Sequence, residues 1–134
     1  MQIPSTPTRR DIDRLFHGGE FDRIGDLPGV MLYEKRDVEA DARNCFFGDR
    51  YFFEAEFWER YGPVKGLEGH EEAAEPEEGD VVIYVNMATG QNVGIYVGDG
   101  RVRLKWGFGH VYEHDLGSVP SIYGNEVRFF RRRL

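Results

Sequence analysis

Residues 79–106 constrain the fold of this chain more than any other stretch. Apolar or β-branched residues recur there at every second position in three segments: 81–86, 93–97 and 102–106. A period of two is the period of a β-strand. A Gly-Asp-Gly sequence at 98–100 separates the second segment from the third and tolerates the positive φ of a tight hairpin. The run therefore predicts an antiparallel meander on which the rest of the chain packs.

Shorter signals surround this meander. Apolar residues at helical spacing predict a short helix over 9–17, which ends at two glycines, and an aromatic-rich helix over 54–61, which ends at Gly-Pro. Phe21 and Ile24 are spaced to form one buried helical turn. Two short strands are predicted near the C-terminus, at 111–112 and 127–130.

The length of 134 residues and a hydrophobic content of 40% predict a single domain, 1–134, with a real core. Residues 1–7 contain two prolines and form a loosely held lead-in in this interpretation. No stretch approaches the roughly 18 consecutive apolar residues of a membrane span, and the N-terminus lacks the apolar centre of a secretory signal. We therefore expect a soluble, cytoplasmic protein.

The net charge of −7 is concentrated in residues 66–80. This segment has no Lys or Arg and seven carboxylates: Glu68, Glu71, Glu72, Glu75, Glu77, Glu78 and Asp80. Blocks of like charge repel and stay hydrated, which predicts a solvated acidic loop; a basic partner or cationic substrate is the alternative. The four arginines at 128–133 allow only weak, salt-sensitive contact with phosphates, so nucleic acid is not an expected partner.

Cys45 is the only cysteine, which excludes an internal disulfide and a zinc site of several thiolates. A nucleophilic cysteine needs a base, a group that orients the base and donors for the oxyanion. Arg43 adds positive charge nearby, and a helical turn after the cysteine would favour the thiolate. By residue type alone, a lone cysteine followed by two phenylalanines is more often a small apolar residue of the core.

Several motifs between residues 44 and 132 resemble the NlpC-type branch of the papain-like cysteine hydrolases, in particular its small uncharacterised bacterial members. They are Asn44-Cys45 before an aromatic segment, GDVVIY at 79–84, NVGIYVGDGRV at 92–102, KWGFGHVYEH at 105–114 and VRFFRR at 127–132. The resemblance implies an α+β fold in which short helices, one bearing the cysteine, pack on a four- to five-stranded antiparallel sheet. It also implies cleavage of amide bonds, often in cell-wall peptides, without a metal or cofactor.

Carried over by position, the resemblance assigns Cys45 as the nucleophile and Asp80 as a structural residue of the turn before the first strand. The position of the family's histidine holds Asn92, and the third polar position falls near Leu104 or Lys105. An amide accepts no proton near neutral pH, so Asn92 cannot act as the base. An ordinary thiol, with a pKa of about 8.5, is only a few per cent ionised at pH 7.

Three replacements for the missing base are open. His110 or His114 can approach Cys45, although both also fit structural roles; Lys105 can favour the thiolate through its charge; or a partner can complete the site. The leading hypothesis is a divergent cysteine hydrolase acting on an amide bond of a peptide or peptidoglycan-like substrate. The alternative is a catalytically degenerate relative, a bacterial or phage accessory protein, that binds or inhibits a peptide or protein with Asn92 as a hydrogen-bonding group. An asparagine introduced there to trap a substrate complex is a further alternative.

Overall fold

A computed structural model of the chain describes residues 8–35, 45–47, 50–52, 69–86, 90–106 and 110–132. Two α-helices lie in these residues, α1 (Thr8–His17) and α2 (Phe21–Ile24), together with a 3₁₀ turn over Ser121–Tyr123. The strands are β1 (Val30–Glu34), β2 (Cys45–Phe47), β3 (Arg50–Phe52), β4 (His70–Ala73), β5 (Val81–Asn86), β6 (Gly90–Gly98), β7 (Arg101–Lys105), β8 (Val111–Asp115) and β9 (Glu126–Arg132). The helix predicted over 54–61 lies outside the described residues.

Seven strands form one antiparallel sheet in the order β1-β8-β7-β6-β5-β9-β4. Strand β2 lies off this path, because it pairs antiparallel with β3 and parallel with β6. The predicted α+β fold, a papain-like NlpC-type domain with helices packed on a four- to five-stranded sheet, is therefore wrong. In the described part of the chain only two short helices accompany the sheet, and Cys45 begins a strand instead of a helical segment. The sheet is larger than predicted because β1 and β4 pair with β8 and β9.

The predicted meander is confirmed as strands β5, β6 and β7. The hairpin between β6 and β7 is confirmed as well, since Gly98, Asp99 and Gly100 have φ of 98°, 53° and 77°. The amide of Gly100 donates a hydrogen bond of 2.7 Å to the hydroxyl of Tyr96, which fastens the turn to its own strand. The predicted N-terminal helix is confirmed as α1.

One face of the sheet, which we call the helix face, packs against α1 and α2. Helix α1 buries Ile12 and Leu15, which are three residues apart and share one side of the helix. They join α2 and the sheet in a single apolar cluster that includes Ile24, Val82, Tyr84, Val102, Leu104, Trp106 and Tyr112. The buried guanidinium of Arg9 donates to the carbonyl oxygens of Val119 at 3.0 Å and Gly124 at 2.6 Å, which holds α1 against the C-terminal segment.

The acidic segment contributes β4 to the sheet, and its partner β9 carries arginines. The guanidinium of Arg128 donates to the carboxylate of Glu72, and Arg131 donates to Asp80 from Nε at 3.0 Å and Nη2 at 2.8 Å. Asp80 also accepts the backbone N–H of Glu77 at 2.8 Å, which gives this buried carboxylate a structural role. Part of the acidic charge is thus paired within the chain.

Among the residues that the structure describes, no helix has both the length and the apolar composition that crossing a membrane requires.

Candidate functional site

The candidate site is built around His110, which lies immediately before β8 at one end of the sheet. Its Nε2 lies 2.8 Å from Oδ1 of Asp22 in α2. The imidazole side chain is 7% exposed, whereas the carboxylate side chain is 72% exposed. A largely buried ring therefore meets an exposed carboxylate at the protein surface.

Helix α2 carries Asp22 to this place although it has only four residues. Its Ile24 is fully buried in the core, and the ring of Phe21 meets the His110 ring edge-on with centroids 6.5 Å apart. The hydroxyl of Tyr112 donates to the backbone carbonyl of Phe21 at 2.7 Å. These contacts bring Asp22, the residue after Phe21, against His110.

The charge state of this pair follows from its geometry. The hydrogen bond from His110 lowers the pKa of Asp22, and the ammonium of Lys35, 3.8 Å away, lowers it further. The carboxylate is consequently ionised at neutral pH and can only accept hydrogen bonds. It follows that Nε2 of His110 is the donor, and in the neutral ring the lone pair lies on Nδ1.

Asn92 lies at the same end of the sheet as His110. The pairing of β6 with β7 ends at Gly94 and Leu104, and Asn92 and Trp106 each lie two residues beyond that pair, at the same end. The amide of Trp106 donates to the carbonyl of His110 at 3.2 Å. Asn92 is 7% exposed, so its amide group is buried within this end of the sheet.

The backbone of Cys45 joins this end of the sheet. Cys45 pairs with Val93, the neighbour of Asn92. Val93 of β6 pairs with Ile83 of β5 on one side, so β2 lies on its other side. From Gly94 onward, that other side of β6 pairs with β7 instead. The backbones of Cys45, Asn92 and His110, which are far apart in the sequence, therefore converge at one end of the sheet. This convergence does not depend on a helix N-terminus, which was one of the reasons for expecting a thiolate.

The structure separates His114 from this site. It lies four residues further along β8, roughly 13 Å from His110. Its side chain is fully buried against the ring of Trp106, with centroids 5.2 Å apart, and its Nδ1 lies 2.7 Å from the carbonyl oxygen of Asp115. Burial lowers the pKa of His114 to about 4, so the ring is neutral at pH 7.

Leu104 and Lys105, the positions matched to the third polar residue, are both fully buried. Successive residues of a strand point to opposite faces, so they do not share one side of the sheet. Leu104 belongs to the core on the helix face. Lys105 pairs with Val111 at the end of β7, close to the register position of Cys45.

The sequence prediction missed Asp22 and Tyr112. Asp22 stands 88 residues before the histidine that it contacts, and no periodicity or motif links the two. The only local signal was the predicted helical turn formed by Phe21 and Ile24, which is confirmed as α2. That turn predicts buried neighbours and leaves the partner of Asp22 undefined.

No family model, curated protein or solved structure matches this chain. Within the described ranges, no three or more His, Cys, Asp or Glu side chains come together as a candidate metal site.

Proposed function

We propose that the chain is a thiol-dependent hydrolase that cleaves an amide bond of a peptide or peptidoglycan-like substrate, with Cys45 as nucleophile and His110 as base. The observation that carries the proposal is the 2.8 Å bond between His110 and Asp22, at the end of the sheet where Cys45 pairs with Val93. A histidine held by a carboxylate is one of the arrangements by which enzymes activate a nucleophile through a general base. The motif resemblance to NlpC-type hydrolases supports the chemistry and not the papain-like arrangement of helices.

In the proposed reaction, Nδ1 of His110 takes the thiol proton while Asp22 accepts Nε2–H and stabilises the imidazolium. The thiolate adds to the amide carbonyl carbon. The imidazolium then gives its proton to the departing amine, which leaves an acyl thioester on Cys45. A water molecule, deprotonated by the neutral ring, hydrolyses the thioester, and the carboxylic acid and free thiol are released.

The pH dependence of thiol alkylation by iodoacetamide tests the base. Since Cys45 is the only cysteine, the reaction rate reports on one site. We expect an inflection well below pH 8 in the wild type and an inflection at about pH 8.5 in His110→Gln. The exposed His17 offers a matched control, and His17→Gln should keep the wild-type profile. A wild-type inflection near 8.5 would contradict the proposal.

Turnover is the second measurement. Peptide nitroanilides and a muropeptide digest serve as substrates, and cleavage is followed by release of the chromophore and by mass spectrometry. Cys45→Ser should abolish turnover, and His110→Gln should reduce it by about 100-fold or more. Turnover that survives in Cys45→Ser would exclude the thiol as nucleophile.

A second candidate function is binding without cleavage, and the buried amide of Asn92 favours it. The matched family position requires a base, which an amide cannot be. A peptide that binds wild type and Cys45→Ser equally and is recovered intact would support this candidate.

Restoring the family residue with Asn92→His should raise thiol reactivity if the position is matched correctly. Unchanged reactivity would show that the resemblance is aligned in the wrong register.

A further inference from the structure

Three contacts link His110, α2 and Tyr112. Its Nε2 bonds to Asp22, and the neighbouring residue Phe21 accepts the hydroxyl hydrogen bond of Tyr112 through its carbonyl at 2.7 Å. Tyr112 lies two residues after His110 on the same segment, and the two rings are 6.1 Å apart. The strand that follows the histidine therefore also holds the helix that carries the histidine's carboxylate.

We propose that Tyr112 is the positioning residue of the His110–Asp22 pair: its hydroxyl fixes α2 so that the Asp22 carboxylate stays on Nε2. The catalytic consequence rests on the proposed function, since it requires His110 to act as the base for Cys45. The positioning itself does not, because it concerns the geometry of the pair.

The properties of α2 explain why it needs this anchor. An isolated helical turn of four residues is not stable by itself, and Glu20 at its start makes no side-chain capping bond. The neighbouring backbone bonds, from Arg23 to Glu20 and from Leu27 to Ile24, stay within the same short segment. The hydroxyl of Tyr112 instead joins α2 to β8.

The hydroxyl of Tyr112 is also a donor that does not lose its proton with pH. Tyr112 is fully buried, and burial raises the pKa of its hydroxyl well above the physiological range. The hydroxyl thus remains protonated wherever the protein is folded. It holds the carbonyl of Phe21 at every pH at which Asp22 is ionised.

Tyr112→Phe tests the proposal, because it removes one oxygen and keeps the ring. The titration of the Asp22 carboxyl is followed by ¹³C NMR, and the alkylation rate of Cys45 by iodoacetamide is measured at pH 7. We expect the pKa of Asp22 to rise toward its ordinary value and the alkylation rate to fall about two- to tenfold, which corresponds to one hydrogen bond.

Tyr84→Phe is the matched control. Tyr84 is equally buried, and its hydroxyl also donates to a backbone carbonyl, that of Leu116, at 2.6 Å. The same atom is lost, from a hydroxyl that bonds the segment after β8 and not α2. The Asp22 titration should be unchanged in this variant, so an equal shift in both variants would overturn the proposal as general loosening.

The outcomes separate the two proposals. An unchanged Asp22 titration in Tyr112→Phe overturns the positioning role. A shifted titration with unchanged thiol reactivity supports positioning and contradicts the role of His110 in catalysis. If Tyr112→Phe does not fold, the wild-type protein gives the answer by NMR. A slowly exchanging Tyr112 hydroxyl proton with a nuclear Overhauser effect to Phe21 supports the bond, and its absence overturns it.

Discussion

His110 and His114 stand four residues apart on one segment, yet the fold places them in opposite surroundings. The imidazole of His110 is largely buried, but it bonds to the carboxylate of Asp22, which is exposed at the protein surface. The ring of His114 is fully enclosed by the core beside Trp106, and its Nε2 has no hydrogen-bond partner among the described residues. The first histidine consequently meets a charged partner at the surface, whereas the second, with its lowered pKa, is a neutral packing group at pH 7.

The difference teaches that the position along the sheet, and not the residue type, decides what each histidine can do. Residues two or four apart on a strand share a face, so both imidazoles belong to the helix face. His110 lies at the end of β8, where α2 supplies a charge. His114 lies opposite Val102 and Val30, in the middle of apolar neighbours. The following predictions test this contrast, beginning with the largest effect.

Acidification should destabilise the protein through His114. Desolvation by burial depresses its pKa to about 4 in the folded protein, against an ordinary value of 6.5. The stabilisation that depends on the neutral ring is complete above pH 6.5 and is lost progressively as the pH falls to about 4. The loss amounts to about 3 kcal/mol. Urea unfolding at a series of pH values measures it.

The carboxylates of the protein titrate over part of the same range, so a variant must isolate the histidine. His114→Leu provides it, because leucine is of similar size and does not ionise. The difference in unfolding free energy between wild type and variant should change steeply between pH 6.5 and 4 and then level off. A constant difference across this range would show that His114 is accessible to protons in the folded state.

At neutral pH, His114→Leu should stabilise the protein by about 1 kcal/mol. The substitution removes a buried nitrogen without a partner, whose desolvation is unfavourable. It also removes the bond to the carbonyl of Asp115, a residue that is exposed, so water can replace that donor. Urea midpoints at pH 7.5 with an unchanged m-value would measure the gain. A clear loss of stability would mean that the Nδ1 bond outweighs the unpaired Nε2.

For His110, the expected effect is local. His110→Gln replaces the ring donor by a flexible amide and so weakens the hydrogen bond that contributes most to the lowered pKa of Asp22; that pKa should therefore rise. The global unfolding free energy should change much less than in the acidification experiment, because the carboxylate is exposed and such pairs are weak. Carboxyl NMR and urea unfolding give the two values. The contrast between the histidines fails if His110→Gln unfolds the protein while His114→Leu leaves it unaffected.

Much of the sheet was predictable because its signals are local. The alternation in β5 to β7 and the positive-φ hairpin at Gly98, Asp99 and Gly100 are both written in consecutive residues. Strand β4 was not predicted, because its charged sequence becomes a strand only by pairing with β9, where arginine faces glutamate. A strand as short as β2 likewise has no period to detect, and its pairing with β6 is decided by the tertiary structure.

The candidate site was predictable only in part, for the same reason. His110 could be named as a candidate base, since histidine is the residue that titrates near neutral pH. Asp22 could not, because an exposed acidic residue in a short turn resembles many others until α2 packs beside β8. The two histidines could not be ranked either, because burial, which separates them, depends on strand order.

The smallest predicted effect concerns Lys35, whose ammonium also lies near Asp22. Its ammonium lies 3.8 Å from the carboxylate, and both side chains are largely exposed, so water and salt screen the attraction. Lys35→Gln should therefore raise the pKa of Asp22 less than His110→Gln does, and the difference from wild type should shrink as salt increases from 0.05 to about 1 M. Carboxyl NMR at the two salt concentrations measures this, with Arg10→Gln on the exposed side of α1 as the control. If Lys35→Gln had the larger effect at low salt, the carboxylate would be held chiefly by the lysine. His110 would then lack the orienting partner that distinguishes it from His114.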